Sequence, residues 1–476
     1  MKVLAAFLVN TIFNFMIGLL VAKFLGPEQF GRFALALSVA AFIQNIAIDW
    51  IRLAAVRFYS QRSRETKREL RATLDVAAAI TSTVLAMGAI LFILSGIELV
   101  LTPALLGLAV AVSIANGLFD YRTALIRARF LDGVYARLVM TKNCLAIILT
   151  VGGALLTGSA MFALAGACLS MAGSLFFVRA AVSDRQAHPS LASLDLALES
   201  AKYSLPIIAA NILYLAIALV NRALVTQHFG FAETGQYSLA YDLGTRLIAA
   251  FGSALDVLLF QIAVRAYDQH GQERALDQIS RNMSIVIAVL LPAAVGLWFI
   301  VPSLEQVLVP ELYRGPFGHY LILQLPGLLC FGLMNFAINP VFQIVKMTRP
   351  LITAAVTACV ANGVLLLTLP QTADASNYAL AQAGSLIVAM ISLLIFAAVH
   401  SPRWPRARDL CLSLLGVICM ALALWPLHYW PAGLETLGAQ LLLGSLVYSL
   451  FVLIFDIAGL RSLVLKRLQL SPPSVL

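Results

Sequence analysis

The sequence predicts an all-α polytopic membrane protein of about 14 transmembrane helices. These form two six-helix lobes related by a pseudo-twofold axis along the membrane normal, followed by a C-terminal helix pair. Three observations carry this prediction. The first is composition: 61% of the residues are hydrophobic and 12% charged, with a mean hydropathy of +0.92. An average soluble protein carries about 25% charged residues, so this chain has too little polar surface for a soluble fold. The second is a succession of apolar runs of roughly 20 residues, the length that crosses a bilayer. The third is an internal repeat. Phe24-Leu-Gly-Pro-Glu-Gln-Phe-Gly-Arg-Phe-Ala-Leu-Ala-Leu-Ser38 returns 204 residues later as His228-Phe-Gly-Phe-Ala-Glu-Thr-Gly-Gln-Tyr-Ser-Leu-Ala-Tyr-Asp242. Without gaps, Gly26 falls on Gly230, Gly31 on Gly235, Leu35 on Leu239 and Ala36 on Ala240, while Phe33 falls on Tyr237.

The apolar runs place spans 1 to 6 at 3–24, 30–57, 72–94, 102–121, 143–158 and 160–180. Spans 7 to 12 follow at 204–226, 234–262, 282–302, 319–344, 350–370 and 377–399, and spans 13 and 14 at 410–428 and 437–459. Span 1 is retained, because the run from Val3 to Ala22 is too long for a signal-peptide core and lacks a clear small-residue cleavage site. Gly26-Pro27 breaks the helix between spans 1 and 2. Only Thr157-Gly158-Ser159 separates spans 5 and 6. The stretch 122–138 mixes basic and apolar residues and reads as an amphipathic helix anchoring the chain at the interface. The segment 181–203 reads as a plain linker between the halves. The repeat copies begin six spans apart; six is even, so both halves insert the same way up. The expected domains are residues 1–200, 201–400 and 401–476. Pro206, Pro292, Pro326 and Pro340 lie in or at the ends of spans and are candidate bending points.

Charge placement orients the chain by the positive-inside rule. With the N-terminus in the cytoplasm, the inside segments hold Lys2; Arg57, Arg62, Arg64, Lys67, Arg68 and Arg71; and Arg122, Arg127, Arg129, Arg137 and Lys142. They also hold Arg179, Arg185 and Lys202; Arg265, Arg274 and Arg281; Lys346 and Arg349; and Arg403, Arg406 and Arg408. Arg461, Lys466 and Arg467 follow in the tail. Together these are 26 of the 32 basic residues. Lys23, Arg32 and Arg314 fall near outside loops. Both termini are therefore expected in the cytoplasm. The net charge of +9 is accounted for by membrane orientation and does not call for a nucleic-acid partner. Six cysteines without CxxC spacing read as small buried apolar residues.

Polar groups inside a membrane mark functional surfaces. Span 1 carries Asn10 and Asn14; span 7 carries Asn211, Tyr214, Asn221 and Arg222. Shifted back by 204, the span 7 positions become 7, 10, 17 and 18, on one helical face with Asn10 and Asn14. Span 2 carries Gln44, Asn45, Asp49 and Arg52, and span 8 carries Asp242, Arg246, Ser253 and Asp256. The expectation is that these four stripes face a shared cavity. Arg246, Arg52, Arg222 and Lys23 are the candidate anion contacts. Asn10, Asn14, Asn211 and Tyr214 are candidate polar contacts, and Asp49, Asp242 and Asp256 are candidate coupling-ion groups. A structural ion pair between Asp242 and Arg246, between Asp49 and Arg52 or between Arg52 and Asp256, and snorkelling of Arg52, Arg222 and Lys23 are the alternatives. There is no GxxxxGK[ST], HExxH, GxSxG or metal-ligand cluster, and no loop long enough for a soluble catalytic domain, so no cofactor, metal or enzymatic activity is expected.

Leu25-Gly26-Pro27-Glu28-Gln29-Phe30-Gly31, followed by Phe33-Ala34-Leu35-Ala36, resembles the stretch after the first helix of Wzx-type polysaccharide and O-antigen flippases. These belong to the multidrug/oligosaccharidyl-lipid/polysaccharide (MOP) exporter superfamily. The resemblance implies an inner-membrane transporter that moves an undecaprenyl-diphosphate-linked oligosaccharide to the outer leaflet for O-antigen (lipopolysaccharide), capsule or exopolysaccharide synthesis. It implies alternating access driven by an ion gradient, with a polysaccharide polymerase and a chain-length regulator as partners. A small-molecule antiporter of the same superfamily and a membrane glycan polymerase are the other readings.

Overall fold

The structure is a computed structural model that describes residues 2–60, 68–97, 99–184, 187–344, 347–400 and 403–461. Arg62, Arg64, Lys67, Arg185, Lys346, Lys466 and Arg467 of the charge map lie outside the described residues. Among the described residues there is no strand, and twelve helices are long and apolar enough to cross a membrane. Two of these, Val9–Ala47 and Leu194–Asp256, are too long for one crossing and contain the two repeat turns. Divided there, the twelve become the fourteen expected spans.

Glycine makes the division. Gly26 adopts φ 69, ψ 171, a region that L side chains essentially do not enter. Gly230 adopts φ 86. The continuous helix Leu194–Leu308 is broken a second time at Gly271, φ 81. Gly158, φ 59, ends span 5 in the left-handed conformation, and the Ser159 side chain caps span 6 by accepting from Met161 N at 3.3 Å.

The two copies of the repeat pack on each other. A Cβ built on Gly31 would collide with the carbonyl oxygen of Phe231, and one built on Gly235 would collide with that of Pro27. Under the 204-residue offset Gly31 corresponds to Gly235 and Pro27 to Phe231. The contact is therefore reciprocal, as a two-fold axis requires. Arg32 adds an asymmetric element: it pairs with Glu28 at 2.8 Å and lies over the Phe231 ring at 4.8 Å.

The chain forms two compact units, Met1–Leu239 with Thr372–Tyr378, and Ala240–Gln371 with Ala379–Leu476. In the first, the Tyr378 hydroxyl lies 3.0 Å from His228 Nδ1, tying the short 372–378 segment to span 7. Spans 2, 3 and 4 share a core built on Ile51, Tyr59, Leu74, Tyr121 and Leu125. In the second unit, spans 13 and 14 pack on span 9 through Phe299, Met420, Leu424 and Tyr448. The outward faces are apolar, as lipid demands: Ile80, Val84, Met87, Leu91 and Leu94 of span 3 are all exposed.

Several expectations change. Helices run past the apolar segments, because hydropathy marks only the part that meets lipid. Span 4 is Pro103–Ala128, and span 5 begins at Asp132. The 122–138 stretch is therefore not a separate interfacial helix. It is the tips of two spans joined at Phe130, φ 54. Arg71 and Lys142, assigned to loops, sit on helices within the fold. Span 2 bends at Ile48, so a short helix, Asp49–Phe58, begins at Asp49. Of the six cysteines only Cys330 is buried; Cys144, Cys411 and Cys419 are exposed, since lipid accepts a thiol as readily as a core does. Pro340 follows a π-turn at Met334–Ile338, which accommodates its missing N–H.

Candidate functional site

Within the first unit, the polar stripes of spans 1 and 2 find partners on spans 4 and 5. Asn143 Nδ2 donates to Asn10 at 3.1 Å, and Lys142 Nζ to Asn14 at 3.0 Å. Asn116 donates to Gln44 Oε1, and Gln44 Nε2 donates to Asp120 Oδ2 at 2.9 Å. A stripe therefore need not face its repeat counterpart to escape lipid. Asn116 and Asp120 lie one turn apart on a single face of span 4. That spacing was legible in the sequence, but Asp120 fell at the apparent end of an apolar run.

Asp49 and Arg52 form a bidentate pair, with Nε at 2.5 Å and a terminal nitrogen at 2.7 Å. The bend at Ile48 explains how Asp49 is held although only 4% exposed. It puts the carboxylate in the first turn of the Asp49–Phe58 helix, where the helix dipole favours a negative charge. Arg52 is thus fixed by its neighbour. The pair lines a cavity of 550 Å³ between spans 2 and 4, together with Gln44, Asn45, Asp120 and Arg127. Two carboxylates face two guanidiniums, so the lining is charge-balanced rather than cationic. Asp120 lies within electrostatic range of Arg52 and Lys142, but its hydrogen-bond partner is the neutral amide of Gln44. It is the acid in this cavity whose direct partner is an amide rather than a cation.

A second cluster locks the same end of the unit. Asp75 receives Arg71 Nε at 2.7 Å, the Tyr121 hydroxyl at 2.8 Å and Arg122 at 3.1 Å. Arg71 is 2% exposed and lies near the rings of Tyr59 and Tyr121.

The remaining candidates lie outside the lining of this cavity. Arg222 is buried and clamps span 7 to span 2, donating to Ala34 O at 3.3 Å and Ser38 Oγ at 2.5 Å. Lys23 and Asn211 are exposed, and Tyr214 is half-buried. Asp242, Arg246 and Asp256 belong to the second unit, where all three are half-buried. Among the described residues, no group of His, Cys, Asp or Glu is arranged to hold a metal.

The family model described as "Polysaccharide biosynthesis protein" matches residues 3–260, more than half of the chain. No curated protein matches it. Among solved structures, "Lipid II flippase MurJ, inward closed conformation" is similar with a TM-score of 0.72 and 15% identity, covering 97% of this chain and 99% of that one. A "multidrug resistance MATE family transporter of the MOP superfamily" in an inward-facing conformation gives 0.64 and 12%, covering 82% and 94%. The "MATE multidrug transporter DinF-BH" gives 0.55 and 12%, covering 84% and 94%. At these identities the likeness is one of fold.

Proposed function

Because this chain belongs to the polysaccharide biosynthesis protein family, we propose that it is a Wzx-type flippase. It carries an undecaprenyl-diphosphate-linked oligosaccharide from the cytoplasmic to the outer leaflet of the bacterial inner membrane. The observation that carries this reading is the family match over residues 3–260. The fold agrees with it. The likeness to a flippase named for lipid II extends over 97% of the chain, whereas the likeness to these two multidrug transporters stops at 82–84%.

In this reading the lobes, residues 1–200 and 201–400, alternate between inward and outward opening. Arg246 is the leading contact for the diphosphate or an acidic sugar, with Arg52, Arg222 and Lys23 behind it. Asn10, Asn14, Asn211 and Tyr214 supply polar contacts to the glycan. An ion gradient drives the cycle, and Asp120 joins Asp49, Asp242 and Asp256 as a carrier of the coupling proton. Both termini face the cytoplasm, and a polymerase and a chain-length regulator receive the product.

The test is genetic and chemical. A deletion strain is expected to accumulate lipid-linked repeat units in the inner leaflet, and Arg246→Ala is expected not to restore export although the protein reaches the membrane. Normal export in the deletion strain would overturn the reading. Formation of glycosidic product by the purified protein would replace it with a polymerase.

A further inference from the structure

The corner where spans 4, 5 and 6 end carries features that transport does not use. Span 5 starts here and span 6 finishes here, side by side. Between them lies a groove of 440 Å³, within the range of small-ligand sites, roughly 300–1,000 Å³. Arg137 and Thr141 supply its polar lining; Val134, Phe177 and Val178 supply its apolar lining. Arg129 donates to Ala181 O at 3.3 Å across the same corner, and the Arg179 guanidinium stacks over Phe176 at 4.1 Å.

Three phenyl rings here are largely exposed. Phe176 is 58%, Phe177 70% and Phe130 81% exposed. Phe130 is the more telling one. Its φ of 54 places a bulky residue in the left-handed region, a conformation that costs roughly 1–2 kcal/mol without glycine. No packing in the fold compensates, since the ring points outward. Three arginines at this corner, Arg129, Arg137 and Arg179, outnumber the acids nearest them in the chain, Asp132 and Asp184. Cations gathered at one corner with aromatic rings beside them match a lipid whose anionic headgroup sits above its tails.

We infer that the groove between the adjoining ends of spans 5 and 6 is a binding site for an anionic diacyl phospholipid. The phosphate is held by Arg137 and Thr141, and the acyl chains lie along Phe177 and Val178. Phe130 enters the same lipid layer. The site anchors the first unit at the membrane surface and is separate from the span 2–span 4 cavity.

Native mass spectrometry on the purified, delipidated full-length protein tests this. Phosphatidylglycerol, phosphatidylcholine, undecaprenyl phosphate and inorganic phosphate are each added alone and in competition. Phosphatidylglycerol is expected to be retained over phosphatidylcholine. Arg137→Gln is expected to weaken that retention about tenfold, the loss of one charge-assisted hydrogen bond, and Arg137→Lys to recover most of it. Equal retention of the two phospholipids by the native protein, or unchanged retention by Arg137→Gln, would sink the proposal. So would displacement of phosphatidylglycerol by inorganic phosphate, or preferential Arg137-dependent retention of undecaprenyl phosphate. The unfolding temperature without added lipid verifies that each variant folds. If Arg137→Gln does not fold, Thr141→Val carries the same comparison, with weaker phosphatidylglycerol retention expected and unchanged retention counting against the site.

Discussion

Asp49 and Arg52 are three residues apart, so their pairing was one of the readings open from helical spacing alone. The bend at Ile48, which puts Asp49 at a helix start, was not. It turns an ordinary i,i+3 pair into a buried carboxylate held by two hydrogen bonds and a helix dipole. Removing only the cation leaves that carboxylate without its partner. Arg52→Ala is expected to cost roughly 1–3 kcal/mol, the usual penalty for orphaning a buried polar group and larger for a charge. Asp49→Asn combined with Arg52→Gln should recover much of the loss. Thermal unfolding in detergent checks both, and equal destabilisation by the single and double replacements would contradict the pairing. Asp120 illustrates a different limit. Its partner Gln44 lies 76 positions away, and no local pattern announces such a bond.

The element that organises the first unit is the glycine turn and the helix crossing beside it. Gly31 and Gly235 are not turn residues; they are where two helices touch backbone to backbone. Gly31→Ala and Gly235→Ala each add a methyl group that must displace a carbonyl. Overpacking of this kind costs about 1–3 kcal/mol. Gly133→Ala is the control: nothing lies within 4 Å of an added Cβ there, and alanine favours a helix by up to ~1 kcal/mol. The two crossing variants are expected to lower the unfolding temperature and impair export, and Gly133→Ala to do neither. Wild-type behaviour of both crossing variants would refute the close crossing.

For the whole molecule, orientation is the remaining expectation, and charge alone argues it. In a cysteine-free background, Asp132→Cys and His270→Cys are expected to react with an impermeant thiol reagent only from the cytoplasmic side. Thr157→Cys and Glu311→Cys are expected to react only from the outside. All four positions lie at span ends or turns. Reversal of the pattern would invert the proposed direction of transport along with the topology.

The sequence by itself determined the fold class, the fourteen crossings and the repeat. Each of these rests on local chemistry: apolar length, the special backbone of Gly26 and Gly230, and a spacing that can be counted. Tertiary structure alone decided who partners whom. It took Asn10, Asn14 and Gln44 to spans 4 and 5, buried Arg71 and drew Lys142 to Asn14, and clamped Arg222 on span 2. A polar side chain in a membrane must find some hydrogen-bond partner, and that demand is visible in one sequence. The choice of partner depends on which helices lie adjacent, and helix adjacency is set by packing across long stretches of chain.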